Sequence, residues 1–248
     1  MARGLIVGLG AFALLSGAVA TGVYVNRGGD RAPASARSAG ETVCIESNVR
    51  LVEGMAPACL TPAQYEALRD NAVIGGDGAP LALNLASPEA EGQSEVVRSC
   101  VDYDARIEDG WHALTGADMR REEYFARACN SLALLVKAKP ARSTHFDGGR
   151  ADKADLRSMA MGDAVAFGEV APSADVAVEA IDRGVWKVTI GAGETMVYEI
   201  AHADFTGDGL GEILAYVSVG SPGGTARIGA IGFLEKPDRG GGCSFRAQ

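Results

Sequence analysis

The sequence lacks the motifs that mark the common classes of enzyme and nucleic-acid-binding protein. It contains neither the H-E-x-x-H pair of zinc proteases nor the G-x-S-x-G turn of serine hydrolases. No two cysteines have C-x-x-C spacing, which argues against a zinc or redox motif. No basic patch with interleaved aromatic residues is present, and the net charge is -9, so nucleic acid is not an expected partner. The absence of an internal repeat argues against a propeller.

An uncharged, largely apolar run from Gly4 to Val25 follows Arg3 near the start of the chain. Its 22 residues would span about 33 Å as a helix, close to the thickness of a bilayer's hydrocarbon core. Residues 1–25 are therefore either a cleaved signal peptide, with Ala18-Val19-Ala20 as its cleavage site, or a signal anchor that spans the membrane through residues 4–25. The next segment, 26–40, is rich in Arg, Gly, Ala and Ser and is predicted to be a flexible linker.

All the cysteines follow the apolar run: Cys44, Cys59, Cys100, Cys129 and Cys243. Export to an oxidising compartment favours disulfides over metal-bound or catalytic thiols. Cys100 and Cys129 lie on the apolar faces of neighbouring predicted helices, so we expect them to form a disulfide. A Cys44–Cys59 bridge would fix the loop that precedes the first helix.

Region 41–158 is predicted to be mainly helical. Thr61 and Gln64 form a capping box around Pro62, which predicts a helix over 62–71. The apolar spacing predicts two further helices, over 94–109 and 118–138.

Region 159–248 is predicted to form an antiparallel sheet. Short runs rich in β-branched and aromatic residues indicate strands at 185–190, 195–203, 213–219 and 225–234. Their connections are too short for crossover helices, which favours antiparallel pairing. Residues 152–182 have no clear pattern. The expected fold class is α+β, with an N-terminal membrane or signal helix, a helical region and a C-terminal sheet.

The segment from Asp204 to Glu212, the acidic loop, lies between two predicted strands. Its nine residues have oxygen-bearing side chains at positions 1, 3, 5 and 9, and a glycine follows position 5. Hard cations such as calcium are bound by converging carboxylate and hydroxyl oxygens in turns that glycine permits. The loop is not an EF-hand, because its position 12 is Ala215 where that motif needs a glutamate. The alternative is a tight turn at Asp208-Gly209 without a metal.

The order of these residues resembles the calcium loops of integrin-type FG-GAP repeats, D-x-[DN]-x-D-G-x-x-D between two strands. The resemblance implies side-chain ligands at Asp204, Thr206, Asp208 and Glu212, and a carbonyl ligand at Leu210. Thr206 stands where the repeat family has Asp or Asn, Glu212 stands where it has the shorter Asp, and this loop occurs only once. The implied cofactor is a weakly bound Ca²⁺.

Taken together, these features predict a non-catalytic envelope protein of bacterial type, secreted or anchored in the inner membrane. It would present a calcium-stabilised binding or scaffolding domain to an unknown envelope protein or ligand on the periplasmic or extracellular side. The alternative is an exported hydrolase whose active-site residues come from distant segments and form no motif.

Overall fold

The computed structural model describes residues 42–90, 92–160, 175–191, 193–220 and 227–248. All of these described residues belong to one compact unit. The expected signal helix at 1–25 and the linker at 26–40 lie outside the described residues. In chain order the described elements are β1 (Val43–Ile45), β2 (Ala58–Leu60), α1 (Pro62–Leu68), β3 (Leu83–Ala86), β4 (Ser94–Val97), α2 (Cys100–Glu108), α3 (Gly116–Lys137), α4 (Lys153–Ala160), β5 (Val176–Asp182), β6 (Val185–Ile190), β7 (Gly193–Ala203), β8 (Glu212–Gly220), β9 (Arg227–Glu235) and β10 (Ser244–Ala247). The fold class is α+β.

The main sheet has eight strands and is antiparallel throughout. Strands β10, β9, β8 and β7 follow one another in order. On its other side β7 pairs first with β6 and then, near its end, with β1, where His202 lies opposite Cys44. Strands β5 and β2 complete the sheet beside β6 and β1, while β3 and β4 form a separate hairpin.

Helices and loops cover both faces of the sheet around β8. The alternation of this strand directs Leu214 and Tyr216 into a core that includes side chains of α2 and α3. It directs Ile213, Ala215 and Val217 into a second core that includes side chains of α4. Because both sets are buried, this stretch of the sequence is a nearly continuous apolar run.

The helix starts follow from local capping. The capping box of α1 is present: the Gln64 backbone N–H donates to the Thr61 hydroxyl at 3.3 Å, and the Thr61 N–H donates to Gln64 Oε1 at 2.9 Å. Thr115 caps α3 in a similar way, accepting a hydrogen bond from the Asp118 N–H at 3.0 Å. The predictions for these two helices are confirmed, although α1 ends earlier than expected.

The predicted helix over 94–109 is wrong in its first part. Ser94–Val97 is strand β4, paired with Leu83–Ala86, and α2 begins only at Cys100. Ser99 caps this helix by accepting a hydrogen bond from the Asp102 N–H at 3.2 Å. The two adjacent valines, Val96 and Val97, favour a strand wherever a partner strand is available.

The expected division into a helical part and a sheet part is too simple. Region 41–158 also contains four strands, and β1 and β2 belong to the same sheet as the C-terminal strands. Residues 152–182, which had no clear pattern, include α4 and β5. The expected strands at 185–190, 195–203, 213–219 and 225–234 correspond to β6, β7, β8 and β9, although residues 225 and 226 lie outside the described part. Within the described ranges, no helix has both the length and the apolar character needed to cross a membrane.

The expected Cys100–Cys129 disulfide is present, together with a bridge between Cys44 and Cys59. Cys100 of α2 is bonded to Cys129 of α3, with a Cα–Cα distance of 5.1 Å. Cys44 and Cys59, which face each other across β1 and β2, form the second bridge. Cys243 is free and buried. Two structural disulfides are consistent with an oxidising compartment outside the cytoplasm.

Candidate functional site

The acidic loop connects β7 to β8 and brings together three of its predicted ligands. Carboxylate oxygens of Asp204, Asp208 and Glu212 all lie within 4.8 Å of one another. Asp204 and Glu212 are buried and Asp208 is exposed, so the cluster has an open side toward solvent. This arrangement is suited to a hard cation, because two inward carboxylates and one outer carboxylate converge on one point.

The loop adopts this shape because its own carboxylates accept hydrogen bonds from its backbone. Asp204 accepts from the N–H groups of Gly207 at 2.6 Å and Gly209 at 3.0 Å, and Asp208 accepts from the N–H of Leu210 at 2.7 Å. Gly207 and Gly209 have φ angles of 86° and 91°, a backbone conformation that residues with a side chain rarely adopt. These bonds define a stable turn, and they are also compatible with a turn that binds no metal.

Glu212 connects the start of the loop to its end. Its Oε2 accepts a hydrogen bond from the Phe205 N–H at 2.8 Å, and its Oε1 accepts one from the Thr206 hydroxyl at 3.0 Å. Burial raises the pKa of Glu212, these two bonds lower it, and the charges of Asp208 and Asp204 raise it further. A bound cation would act in the opposite direction, since it favours the charged form.

Of the remaining predicted ligands, Thr206 contacts the carboxylate cluster, and Leu210 is placed by its backbone bonds. The hydroxyl of Thr206 is directed at Glu212. The backbone at Leu210 forms a parallel bridge with Ser143, where Gly211 N–H donates to the Ser143 carbonyl at 2.8 Å. The backbones of Lys139 and Asp204 exchange two hydrogen bonds, at 3.0 and 2.8 Å. The loop is therefore attached to the segment that follows α3.

An open pocket of 550 Å³ lies beside the loop. Asp204 and Asp208 line it together with three basic residues, Lys137, Lys139 and Arg142. The basic side chains offset part of the negative potential of the loop, which would weaken the binding of a cation.

A buried glutamate on β7, Glu199, was not predicted from the sequence. Glu199 is only 6 % exposed and accepts a hydrogen bond from the indole N–H of Trp186 at 2.7 Å. Burial raises its pKa to about 7, while Trp186, the charge of Arg150 and the N–H of Ala151 lower it. One signal in the sequence was available: Glu199 is two residues after Val197 and two before Ala201, so strict alternation places it with these apolar residues and not on a polar face.

His202 lies near Glu199, along the same wall of a small cavity. Burial lowers the pKa of His202, and the charge of Glu46 raises it. Its Nε2 is buried without a hydrogen-bond partner among the described residues. The cavity between the two side chains has a volume of only 20 Å³, which is enough for about one water molecule.

No protein-family model matches the chain, and neither a curated protein nor a solved structure matches it. The resemblance of the acidic loop to FG-GAP repeats therefore stays a hypothesis that rests on the residues of the loop.

Proposed function

We propose that this protein is an exported, non-catalytic binding protein of the cell envelope, whose acidic loop takes up a calcium ion. The observation that carries the proposal is the convergence of Asp204, Asp208 and Glu212 within 4.8 Å, with two of the three carboxylates buried. Without a cation, three carboxylates at this spacing repel one another, and burial reduces their solvation by water. A bound calcium ion would remove the repulsion and stabilise the connection between β7 and β8.

The two disulfides support the location, since such bonds persist in oxidising compartments. The apolar run over residues 4–25 would direct export and, if it is not cleaved, attach the protein to the membrane. The partner in this proposal is another envelope protein or a ligand bound by the exported domain.

The alternative function, an exported hydrolase, receives less support. The acid–base pair that best fits such an activity is Glu199 with His202, because burial shifts the pKa of both. Their cavity of 20 Å³ has room for a water molecule and not for a substrate. The larger open pocket beside the acidic loop agrees better with a binding function.

Melting curves with and without calcium test the proposal. We expect 10 mM calcium to raise the Tm of the wild-type protein above its value in chelator. Affinities of about 10⁻⁴–10⁻³ M are typical of extracellular modules, and a concentration about 100 times the dissociation constant adds about 2.7 kcal/mol to the free energy of unfolding. Asp208→Asn keeps an acceptor for the Leu210 N–H but removes one charge, so its Tm shift should be smaller.

Asp77→Asn is the matched control. Asp77 is exposed and accepts a hydrogen bond from the N–H two residues on, Ala79, at 3.0 Å, in the same way as Asp208 does from Leu210. Its calcium-induced Tm shift should equal that of the wild type. Equal wild-type melting temperatures in calcium and in chelator would contradict calcium binding. The loop would then be a metal-free turn that is stabilised by its own hydrogen bonds.

A further inference from the structure

A groove with a volume of 480 Å³ runs between α3 and the main sheet. One wall is the face of α3 from Glu123 to Lys137, and the other contains Tyr216 of β8 together with Ala230 and Ile231 of β9. A second pocket of 370 Å³ shares Glu123, Tyr216 and Arg127 with the groove. The volume of the groove lies within the range of about 300–1,000 Å³ that is usual for small-molecule sites.

Arg127 of α3 lies at the junction of the two pockets, held among three tyrosine rings. Its guanidinium carbon is 4.9 Å from the ring centre of Tyr124, 5.2 Å from that of Tyr216 and 5.9 Å from that of Tyr198. Cation–π contacts of this kind orient the planar guanidinium and restrict its rotamers. The charge of Arg127 is therefore fixed in position beside the groove.

Arg127 forms no salt bridge in the described part of the chain, although Glu123 lies one helical turn before it. Arg121 on the same helix, by contrast, pairs with Asp118. The Nε of Arg127 is buried and has no hydrogen-bond partner among the described residues. Its two terminal nitrogens also form no hydrogen bond to a described residue, and they are not buried. Because a guanidinium can form two parallel hydrogen bonds to an oxyanion, these nitrogens can bind an anionic ligand.

The opposite wall is shaped by one glycine. A Cβ on Gly229 would collide with the hydroxyl of Tyr216, so only glycine lets this ring lie across β9. The ring thereby contributes both to the groove and to the aromatic surroundings of Arg127.

The lining of the groove limits the class of ligand. Leu134 and Ile231 give it an apolar part beyond Arg127, which would accommodate a hydrocarbon or aromatic body. Glu123 lies at the same end as Arg127 and would disfavour a second negative charge there. A monoanion with an apolar body therefore fits better than a phosphate.

We propose that the groove between α3 and the sheet binds a small organic carboxylate, whose acid group bonds to Arg127 and whose apolar body lies along Leu134 and Ile231. This site extends the proposed binding function by naming a class of ligand. It rests on that function, but it does not depend on calcium in the acidic loop.

Octanoate and its neutral analogue octanamide provide matched probes. Their binding is measured by titration calorimetry on the full-length protein. We expect octanoate to bind at least tenfold more tightly than octanamide, because a hydrogen bond to a charged partner contributes more than a neutral one. Equal affinities, or no octanoate binding at millimolar concentration, would overturn the proposal. Tighter binding of inorganic phosphate than of octanoate would overturn the choice of a carboxylate.

Variants locate the binding. Arg127→Gln should lower octanoate affinity at least tenfold, whereas Arg120→Gln, an exposed position on the same helix outside the groove lining, should not change it. Ala133→Phe keeps Arg127 but fills the groove and should also abolish binding. Circular dichroism and the Tm report whether each variant folds. Unchanged affinity in folded Arg127→Gln or Ala133→Phe would refute the site.

Asp208→Asn separates the two proposals, because it lies in the acidic loop and outside the groove lining. It should reduce the calcium effect on the Tm and leave octanoate affinity as in the wild type. Loss of octanoate binding in this variant would contradict a separate groove site. If calcium has no effect while octanoate binds through Arg127, only the calcium proposal fails.

Discussion

Glu199 illustrates how one side chain can couple stability to pH. Its side chain is buried along the small cavity that His202 also lines, and the Trp186 N–H is its side-chain partner. Burial raises its pKa from 4.5 to about 7, so the folded protein retains a proton that the unfolded chain has already released. Stability therefore decreases as the pH rises across this interval.

For the wild type we expect the free energy of unfolding to fall between pH 4.5 and pH 7 through Glu199. The full shift corresponds to at most about 3 kcal/mol. Glu199→Gln keeps an acceptor for Trp186 and has no charge, so this component should disappear. His202 acts in the opposite direction, since its lowered pKa makes stability rise with pH. This contribution is present in both the wild type and Glu199→Gln, so it cancels in their difference. Urea unfolding at several pH values gives the difference.

Glu89→Gln is the control for this experiment, because Glu89 is exposed. Its stability should follow the wild-type pH dependence. Parallel curves for the wild type and Glu199→Gln would show that Glu199 titrates normally in the folded protein, contrary to this expectation.

The helices α2 and α3 are joined by the disulfide between Cys100 and Cys129. Both cysteines are almost fully buried, at 0 % and 1 % exposure, so the bridge lies inside the core rather than at its edge. Tyr103 and Phe125 pack beside it, with ring centres 5.5 Å apart. The position of α2 against α3 thus depends on both a covalent bond and apolar contacts.

Removing this bridge should lower the free energy of unfolding, mainly because the unfolded chain gains conformational entropy. With 29 residues of separation, the chain-entropy relation gives about 3–4 kcal/mol for Cys100→Ala with Cys129→Ala. The comparison is Cys44→Ala with Cys59→Ala, where the separation is 15 residues and the expected loss is about 3 kcal/mol. Urea unfolding measures both. A loss below about 1 kcal/mol for the Cys100–Cys129 pair would contradict the prediction.

The sequence predicted those elements whose signals are local. The capping box at Thr61 and the alternation of β6 depend on neighbouring residues, and both are confirmed. The strand β1 was missed because its three residues carry no pattern of their own, and it exists through its pairing with β7 and β2. The clustering of Asp204, Asp208 and Glu212 followed from one short loop. The surroundings of Arg127 combine a helix with two distant strands, which spacing alone cannot bring together.

The distribution of cysteines describes the whole molecule and its compartment. Four cysteines are paired across the fold, and the fifth, Cys243, is buried beneath α4. Burial and, to a lesser extent, the charge of Asp155 raise the pKa of Cys243 to about 12. A thiol in this state reacts slowly, because the thiolate is the nucleophile.

Thiol alkylation should therefore give a defined count. Without reductant, the native protein should incorporate no label, and the denatured protein should incorporate one label, at Cys243. Reduction before denaturing alkylation should give labels at all five cysteines. The variant Cys243→Ser serves as the control and should take up no label without reductant. Five labels without reductant would contradict export to an oxidising compartment.

The place of β1 in the sheet has a consequence for the order of assembly. Cys44 lies opposite His202, so a strand from the beginning of the described chain needs a partner from near its end. In a chain that crosses a membrane with its N-terminus first, β1 and β2 arrive early and can form their own disulfide. Their position beside β7 exists only once β7 has followed, and closing so long a loop slows folding. In an exported chain, this part of the sheet can then be completed only after β7 has also crossed the membrane, so that folding is late relative to translocation.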